Sequence, residues 1–463
     1  MEASAQSADI LGTAARLRAG SLSSLELTRQ YLARIAARDS EFGSYLHVNA
    51  EHALGRAALA DKELANGLDR GPLHGIPLAA KDLFDTAFAP TTVGTAVFAG
   101  RQPATDATVI ARLLEAGAVI LGKLTMTEGA FSSHHPSIAA PRNPLGPELW
   151  VGPSSTGSGV AVAADLCLGA LGSDTGGSIR LPSATCGLTG LKPTWGRVSR
   201  HGAFPLADSL DHIGPMAHTV ADCAALLQAI AGADPADPTS LHADVPDYLA
   251  ACGAPISGLT VGIDRRYALA GIDSEVASAL EAAVETLTAL GVRVVAIEAP
   301  ESGDLAANWV RLCAVETAVI HAGTYPSRAS EYGPELAGMI ESGLRAKPAT
   351  ITALNKRRRT FTEGMSAVLA GVDCMLIPTL PFPIPTAARM EGRDGPAPET
   401  QDLLRFTAPF DFSGHPTLCL PNGRDRRGLP LSMQLVGSAL SEATLIRMGD
   451  AFQRATDWHR LAI

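Results

Sequence analysis

The chain has 463 residues, 46% of them hydrophobic, which supplies a sizeable core for one large domain or three ordinary ones. Its net charge of −10 argues against nucleic acid or an anionic membrane as a partner. Seven scattered cysteines (167, 186, 223, 252, 313, 374, 419) without a C-x-x-C pair predict reduced thiols in a cytoplasmic protein. The opening MEASAQSADI has no basic or apolar targeting region, and no run of 18 apolar residues predicts a membrane span.

Ser23-x-x-Glu26 is a capping box that predicts an amphipathic helix to about Arg38, with Leu27, Tyr31, Leu32 and Ile35 on one face. A second helix is predicted near Ala53 to Ala65, closed by Gly67. Leu73 to Ala80 reads as a buried strand delivering Lys81, and Thr91 to Ala99 as a loop. A helix over 106–116, stopped by Gly117, precedes a short strand over 118–121. Met126 to Phe131 reads as helical and leads into Ser132-Ser133-His134-His135. The two histidines have no further ligand at helical spacing, so no metal is expected there.

Thr219 caps a helix to about Ala231, and the Pro- and Asp-rich stretch 233–246 reads as a surface connection. A strand, helix, strand unit over 259–264, 274–290 and 292–297 suggests parallel pairing. Long helices are predicted over 304–322 and 351–369, where Lys356 to Arg359 reads as a solvated basic face. Strands at 374–378, 417–420 and 431–436 and a helix over 441–456 complete the chain. Helices and strands alternate, so the fold class is α/β, a mixed sheet with helices on both faces.

The stretch from Trp150 to Arg200 stands apart. It holds two clusters of small residues, Gly152 to Gly159 and Gly172 to Ser178, around an apolar run. One reading is a pair of tight turns around a buried strand. A phosphate cradle is the second, but Ser158 stands where a P-loop needs lysine. The third is serine chemistry, in which a Gly-rich turn aims N–H groups at an oxyanion beside a nucleophile. There is no G-x-S-x-G elbow and no S-x-x-K, so a serine enzyme here needs another base. Of six lysines, Lys81 follows the apolar strand, either as a base or as a lysine snorkelling from a strand end or paired with Asp82.

HGIPLAAKD (74–82), GPSSTGSG (152–159) and GSDTGGSIRLPSATCGLTGLKPTWGRVSR (172–200) together resemble the amidase signature family of Ser–Ser–Lys amidohydrolases. The resemblance continues through SLDHIGPMAHTVAD (209–222) and GLPLSMQLVG (428–437). It implies a single amidase domain over 1–463, with a signature core at about 70–220 and a more variable specificity region at about 300–410. It places the catalytic lysine on Lys81, a bridging serine after a cis peptide bond on Ser154, and the nucleophile on Ser178. It places the oxyanion hole on Thr175, Gly176, Gly177 and Ser178, and supporting residues on Ser155, Asp174 and Arg180. Where the family usually has Gly-Gly-Ser-Ser-Gly-Gly, this chain has Gly152-Pro153-Ser154-Ser155-Thr156-Gly157, so the cis bond falls on Pro153–Ser154.

The implied reaction cleaves a carbonyl–nitrogen bond of a small amide, anilide, carbamate (urethane) or urea through an acyl-enzyme, without cofactor or metal, with esters as further substrates. The alternative is a glutamine-hydrolysing component of an amidotransferase complex acting on charged tRNA; a non-catalytic binding protein is the third reading. Neither nucleic acid nor membrane is an expected partner, and a homodimer is compatible with the family. Phe131, Ser132, Ser133, His134 and Trp150 are the expected pocket residues, with Trp309, His321, Phe382 and Phe410 from the specificity region. To act as base, Lys81 must be neutral; moving it from about 10.4 to near 7 takes roughly 4–5 kcal/mol, which burial can supply if Asp82 faces away.

Overall fold

The computed structural model describes residues 9–460. Eleven strands form one mixed sheet: β1 (Tyr45–Val48), β2 (Pro77–Lys81), β3 (Val119–Leu124), β4 (Gly169–Asp174), β5 (Thr189–Lys192), β6 (His212–Ala217), β7 (Thr260–Ile263), β8 (Arg293–Ala296), β9 (Cys374–Pro378), β10 (Thr417–Arg424) and β11 (Pro430–Val436). Their order is β1-β3-β2-β4-β6-β5-β10-β11-β9-β7-β8. Pairing is parallel within β3-β2-β4 and within β9-β7-β8, and antiparallel elsewhere. Every residue of β2 to β6 is buried, as strands covered by helices on the sheet faces require, whereas the edge strands β1 and β8 are largely exposed. The expected α/β class with a helix-flanked mixed sheet is what the chain forms. No helix among the described residues is long and apolar enough to cross a membrane.

Local signals set most boundaries. Ser23 Oγ accepts from Glu26 N–H at 3.0 Å, and the helix runs Ser24–Phe42 to a left-handed Gly43, one turn beyond Arg38. Thr219 Oγ1 accepts from Asp222 N–H at 3.0 Å and opens the helix Val220–Ile230. The parallel β7–β8 pair is joined through the helix Ser274–Ala289, as the strand, helix, strand pattern suggests.

Several expectations need correction. The strand that delivers Lys81 starts at Pro77, not Leu73. Glu128–Ala130 is only one tight turn, because Gly129 and Ala130 adopt φ of 58° and 62° and end any helix there. Two elements fall outside the expectations: the helix Ile10–Arg18, nine residues that bury Ile10, Thr13, Ala14 and Leu17 at helical spacing, and the four-residue strand β1. The basic run is not simply solvated: Arg358 is partly buried, donating to Ser209 C=O at 2.6 Å and Phe412 C=O at 2.5 Å, while Arg357 pairs with Asp304 at 2.7 Å.

One contiguous apolar core runs from Ile10 to Phe452. A second, smaller cluster (Val97, Ala318, Tyr325, Tyr332, Leu336, Ile340) has Phe131 packed against it. It belongs mainly to the 305–344 region.

Candidate active site

Strands β2 and β4 lie parallel, Ala79 beside Ala170 and Ala80 beside Leu171, so their carboxyl ends sit side by side. Lys81 ends β2, and Ser173 and Asp174 end β4. The crevice at the carboxyl ends of parallel strands is where open α/β sheets place their sites. Lys81 is fully buried, and its Nζ lies 2.7 Å from Ser154 Oγ, 2.9 Å from Ser155 Oγ and 2.8 Å from Ser173 Oγ. Burial lowers its pKa to about 7, against the pull of the Asp174 and Asp211 charges. Asp82 faces away: its carboxylate sits 3.1 Å from Lys123 Nζ and accepts from Thr92 N–H at 2.9 Å.

The two serines reach Lys81 because small residues let backbone approach backbone. The Pro153–Ser154 peptide is cis. A Cβ on Gly157 would lie 2.5 Å from Ser44 O and 2.6 Å from Thr125 O, and one on Gly172 would lie 2.9 Å from Ser155 Oγ. The apolar run that follows is a buried helix, Thr156–Ala163, and then β4, not one strand.

Beyond β4 the chain turns through Thr175-Gly176-Gly177-Ser178, with Gly177 at φ 135°, a conformation suited to glycine. Ser178 is half-buried while the residues on both sides of it are buried, so it is the most accessible residue of this turn. Ser155 N–H donates to Ser178 C=O at 3.3 Å, which joins the Ser154–Ser155 segment to this turn. Asp174 anchors the turn from below: Gly177 N–H donates to its carboxylate at 2.6 Å and Ile179 N–H at 3.0 Å. Arg180 completes the floor, with Nη2 2.9 Å from Asp174 Oδ1 and 2.5 Å from Asp411 Oδ2, all three side chains fully buried. Burial would push the Asp174 carboxyl up, but the Arg180 guanidinium holds it well below the usual carboxylate range. Gly177 N–H is thus already committed, which departs from the four-donor expectation. Among the described hydrogen bonds, the N–H groups of Thr175, Gly176 and Ser178 have no protein acceptor.

Of the expected pocket residues, Phe131 and His134 are linked to the segment around Ser154. Thr127 N–H donates to Ser154 C=O at 3.2 Å, and Thr127 Oγ1 donates to Phe131 C=O at 2.6 Å. His134 Nε2 lies 3.0 Å from Thr156 Oγ1, and burial lowers its pKa to about 4, so it is neutral. Ser132 and Ser133 are exposed; Ser133 C=O accepts from Glu128 N–H at 2.8 Å. Trp150 is half-buried and its N–H donates to Pro385 C=O at 2.9 Å. Trp309 reaches the turn itself, its Nε1 2.5 Å from Thr175 C=O. Phe410, expected at the pocket, belongs instead to the main core, and His321 is buried 3.0 Å from Tyr332 OH. Among the described residues, no three His, Cys, Asp or Glu side chains group to hold a metal.

The Amidase family pattern matches residues 26–446. The chain belongs to the amidase signature family. The amidase is 45% identical over 448 residues to AmiD of Mycobacterium tuberculosis, a protein that carries the amidase name, covering 96% of this chain and 93% of AmiD. It is 40% identical over 473 residues to a glutamyl-tRNA(Gln) amidotransferase subunit of Chloroflexus aurantiacus, covering 96% of both chains. Its fold matches the peptide amidase of Stenotrophomonas maltophilia with a TM-score of 0.82 at 32% identity over 97% of both chains.

Sequence reasoning missed the third hydroxyl on Lys81, Ser173, and the remote partners of Arg180: Asp411, and Thr407 C=O and Gln434 Oε1, which accept from its Nη1 at 3.0 and 3.1 Å. Ser173 follows only from the parallel pairing of β2 with β4. Asp411 lies 231 residues from Arg180, and no local pattern announces that contact.

Proposed function

We propose that this amidohydrolase cleaves the carbonyl–nitrogen bond of a small carboxamide, anilide, carbamate or urea through an acyl-enzyme on Ser178. The observation that carries this is a fully buried Lys81 whose polar neighbours are hydroxyls, not carboxylates. With its pKa lowered to about 7, a large share of this amine is unprotonated at neutral pH and offers a lone pair; the lowering corresponds to about 5 kcal/mol of preference for the uncharged form. Ser155 Oγ donates to Ser173 C=O at 3.2 Å and can therefore accept an N–H from Lys81, which leaves the lone pair for Ser154.

In this reading Ser178 Oγ attacks the substrate carbonyl, its proton passes to Ser154, and the Ser154 proton passes to Lys81. The N–H groups of Thr175, Gly176 and Ser178 hold the oxyanion, each such donor being worth about 3 kcal/mol. The relay then runs backwards to protonate the departing amine, leaving the acyl group as an ester on Ser178. Water attacks that ester by the same relay and releases the acid. Asp174 and Arg180 hold the turn and exchange no proton. Phe131 and Trp150 would supply apolar walls suited to an aryl or alkyl acyl group.

The likeness to an amidotransferase component supports a second reading, hydrolysis of glutamine within a complex. The experiment that separates them assays the isolated chain on matched anilides, carbamates and aliphatic amides and maps a fluorophosphonate adduct by mass spectrometry. The expected result is turnover of at least one panel member with a single adduct on Ser178. Glutamine hydrolysis that requires a partner chain, with no turnover of the panel, would replace the first reading by the second.

A further inference from the structure

Two carbonyls of the Thr175–Ser178 turn are held by side chains from outside it. Trp309 Nε1 donates to Thr175 C=O at 2.5 Å, and Thr407 Oγ1 donates to Gly176 C=O at 2.6 Å. The peptide units of this turn are planar and trans, so the N–H of each points opposite to its C=O. Thr175 C=O and Gly176 N–H belong to one such unit. A donor fixed on that carbonyl fixes the direction of that amide. The next unit shows the rule at work: Thr407 takes Gly176 C=O, and the opposed Gly177 N–H lands on Asp174 at 2.6 Å. In the Trp309 unit the opposed Gly176 N–H has no protein acceptor among the described hydrogen bonds.

A Cβ on Gly176 would lie 2.5 Å from the Trp309 ring, so only glycine lets the indole pack against the turn. Trp309 is 6% exposed, which removes water as a competitor for the carbonyl. It stands on the helix Leu305–Ile320, whose Ala318 belongs to the small apolar cluster against which Phe131 packs. The same helix thus carries both the residue that reaches the turn beside Ser178 and a member of the cluster against which Phe131 packs.

We propose that Trp309 is a positioning residue that aims the Gly176 N–H at the oxyanion, so that the specificity region helps to set transition-state stabilisation and not only substrate fit. The proposal rests on the acyl-enzyme reading above. It is tested with Trp309→Phe, which keeps an aromatic ring against Gly176 but removes the indole N–H. Thr407→Val is the second variant, because it frees the neighbouring carbonyl from the other side, and Thr407→Ser should restore what Thr407→Val loses.

The probe is an arylboronic acid. Ser178 Oγ forms a bond to boron, its proton passes through Ser154 to Lys81, and no group leaves, so a tetrahedral anion occupies the oxyanion position. Trp309→Phe should weaken boronate binding and lower kcat together by about 10- to 100-fold, less than the loss of a whole donor. KM for an amide and affinity for the product carboxylate should change by less than about threefold, and the melting temperature should hold within about 3 °C. Equal boronate affinity in wild type and Trp309→Phe would overturn the proposal, as would parallel loss of boronate and product affinity. Failure of the wild type to bind the boronate at all would instead overturn the acyl-enzyme reading.

Discussion

Lys81 and Lys123 stand on neighbouring strands, Ala80 paired with Lys123 and Lys81 with Leu124, and both are fully buried. Their surroundings differ in one respect. Lys123 Nζ sits 3.1 Å from the Asp82 carboxylate, 2.7 Å from Thr91 Oγ1 and 3.1 Å from Pro90 C=O. Lys81 Nζ meets three serine hydroxyls. Burial lowers both pKa values, but at Lys123 the adjacent carboxylate opposes it directly. Burial alone does not make a base. A carboxylate partner makes a structural ion pair; hydroxyls that can both accept and donate are what a proton relay needs. Residues 81 and 82 share the work, one facing each cluster.

The comparison breaks first at Ser178. Ser178→Ala should lower amide turnover by several powers of ten while the melting temperature stays within about 2 °C, because one half-buried hydroxyl is removed. Comparable loss of activity and stability would make Ser178 a structural serine. Lys81→Ala comes next. Amide turnover should again fall by several powers of ten, but a matched ester should suffer less, since an alkoxide leaves more readily than an unprotonated amine. Lys81→Arg should not rescue, because guanidinium stays charged. Equal losses on amide and ester, tracking a lowered melting temperature, would place Lys81 with Lys123.

Lys123→Met should show the reverse pattern. It leaves Asp82 buried without its cation, which costs roughly 3–5 kcal/mol, so thermal melting should shift down by several degrees. The pH midpoint of the remaining activity should not move; a moved midpoint would mean that the two clusters are one. The smallest effect is expected at His134, whose neutral ring makes one hydrogen bond to Thr156 Oγ1. His134→Ala should change KM by less than about tenfold, the size of one hydrogen bond of about 1 kcal/mol, and chelators should leave wild-type turnover unchanged. Loss to chelators with recovery on zinc would require a metal at His134 and His135.

Much of this arrangement was legible in the sequence, for identifiable reasons. Capping at Ser23 and Thr219 and the apolar strand before Lys81 are local signals, and the ordered HGIPLAAKD, GPSSTGSG and GSDTGGS motifs carried the family. What escaped depends on contacts that sequence spacing does not encode. Ser173 joins Lys81 only through parallel pairing of β2 and β4. Gly177 reads as an oxyanion donor from the motif, yet its N–H is taken by Asp174, a fact of turn geometry. Trp309 reads as a pocket aromatic, and only the folded chain puts its N–H on Thr175 C=O.

The central claim is that Lys81 loses its proton near pH 7, far below an ordinary lysine, and its own titration tests that most directly. The chain has six lysines, so protein labelled with carbon-13 at lysine Cε gives a spectrum that Lys81→Arg can assign by the signal it removes. Burial lowers Lys192 to about 7 as well, which makes that assignment necessary. The signal absent from Lys81→Arg should titrate with a midpoint near 7, and the acid limb of kcat/KM for an amide should share it: activity falls below that pH as the amine takes up a proton, and is present above it. A Lys81 signal that titrates near the ordinary lysine value of about 10.4 would contradict the account, because the site would then hold a cation where the relay needs a base.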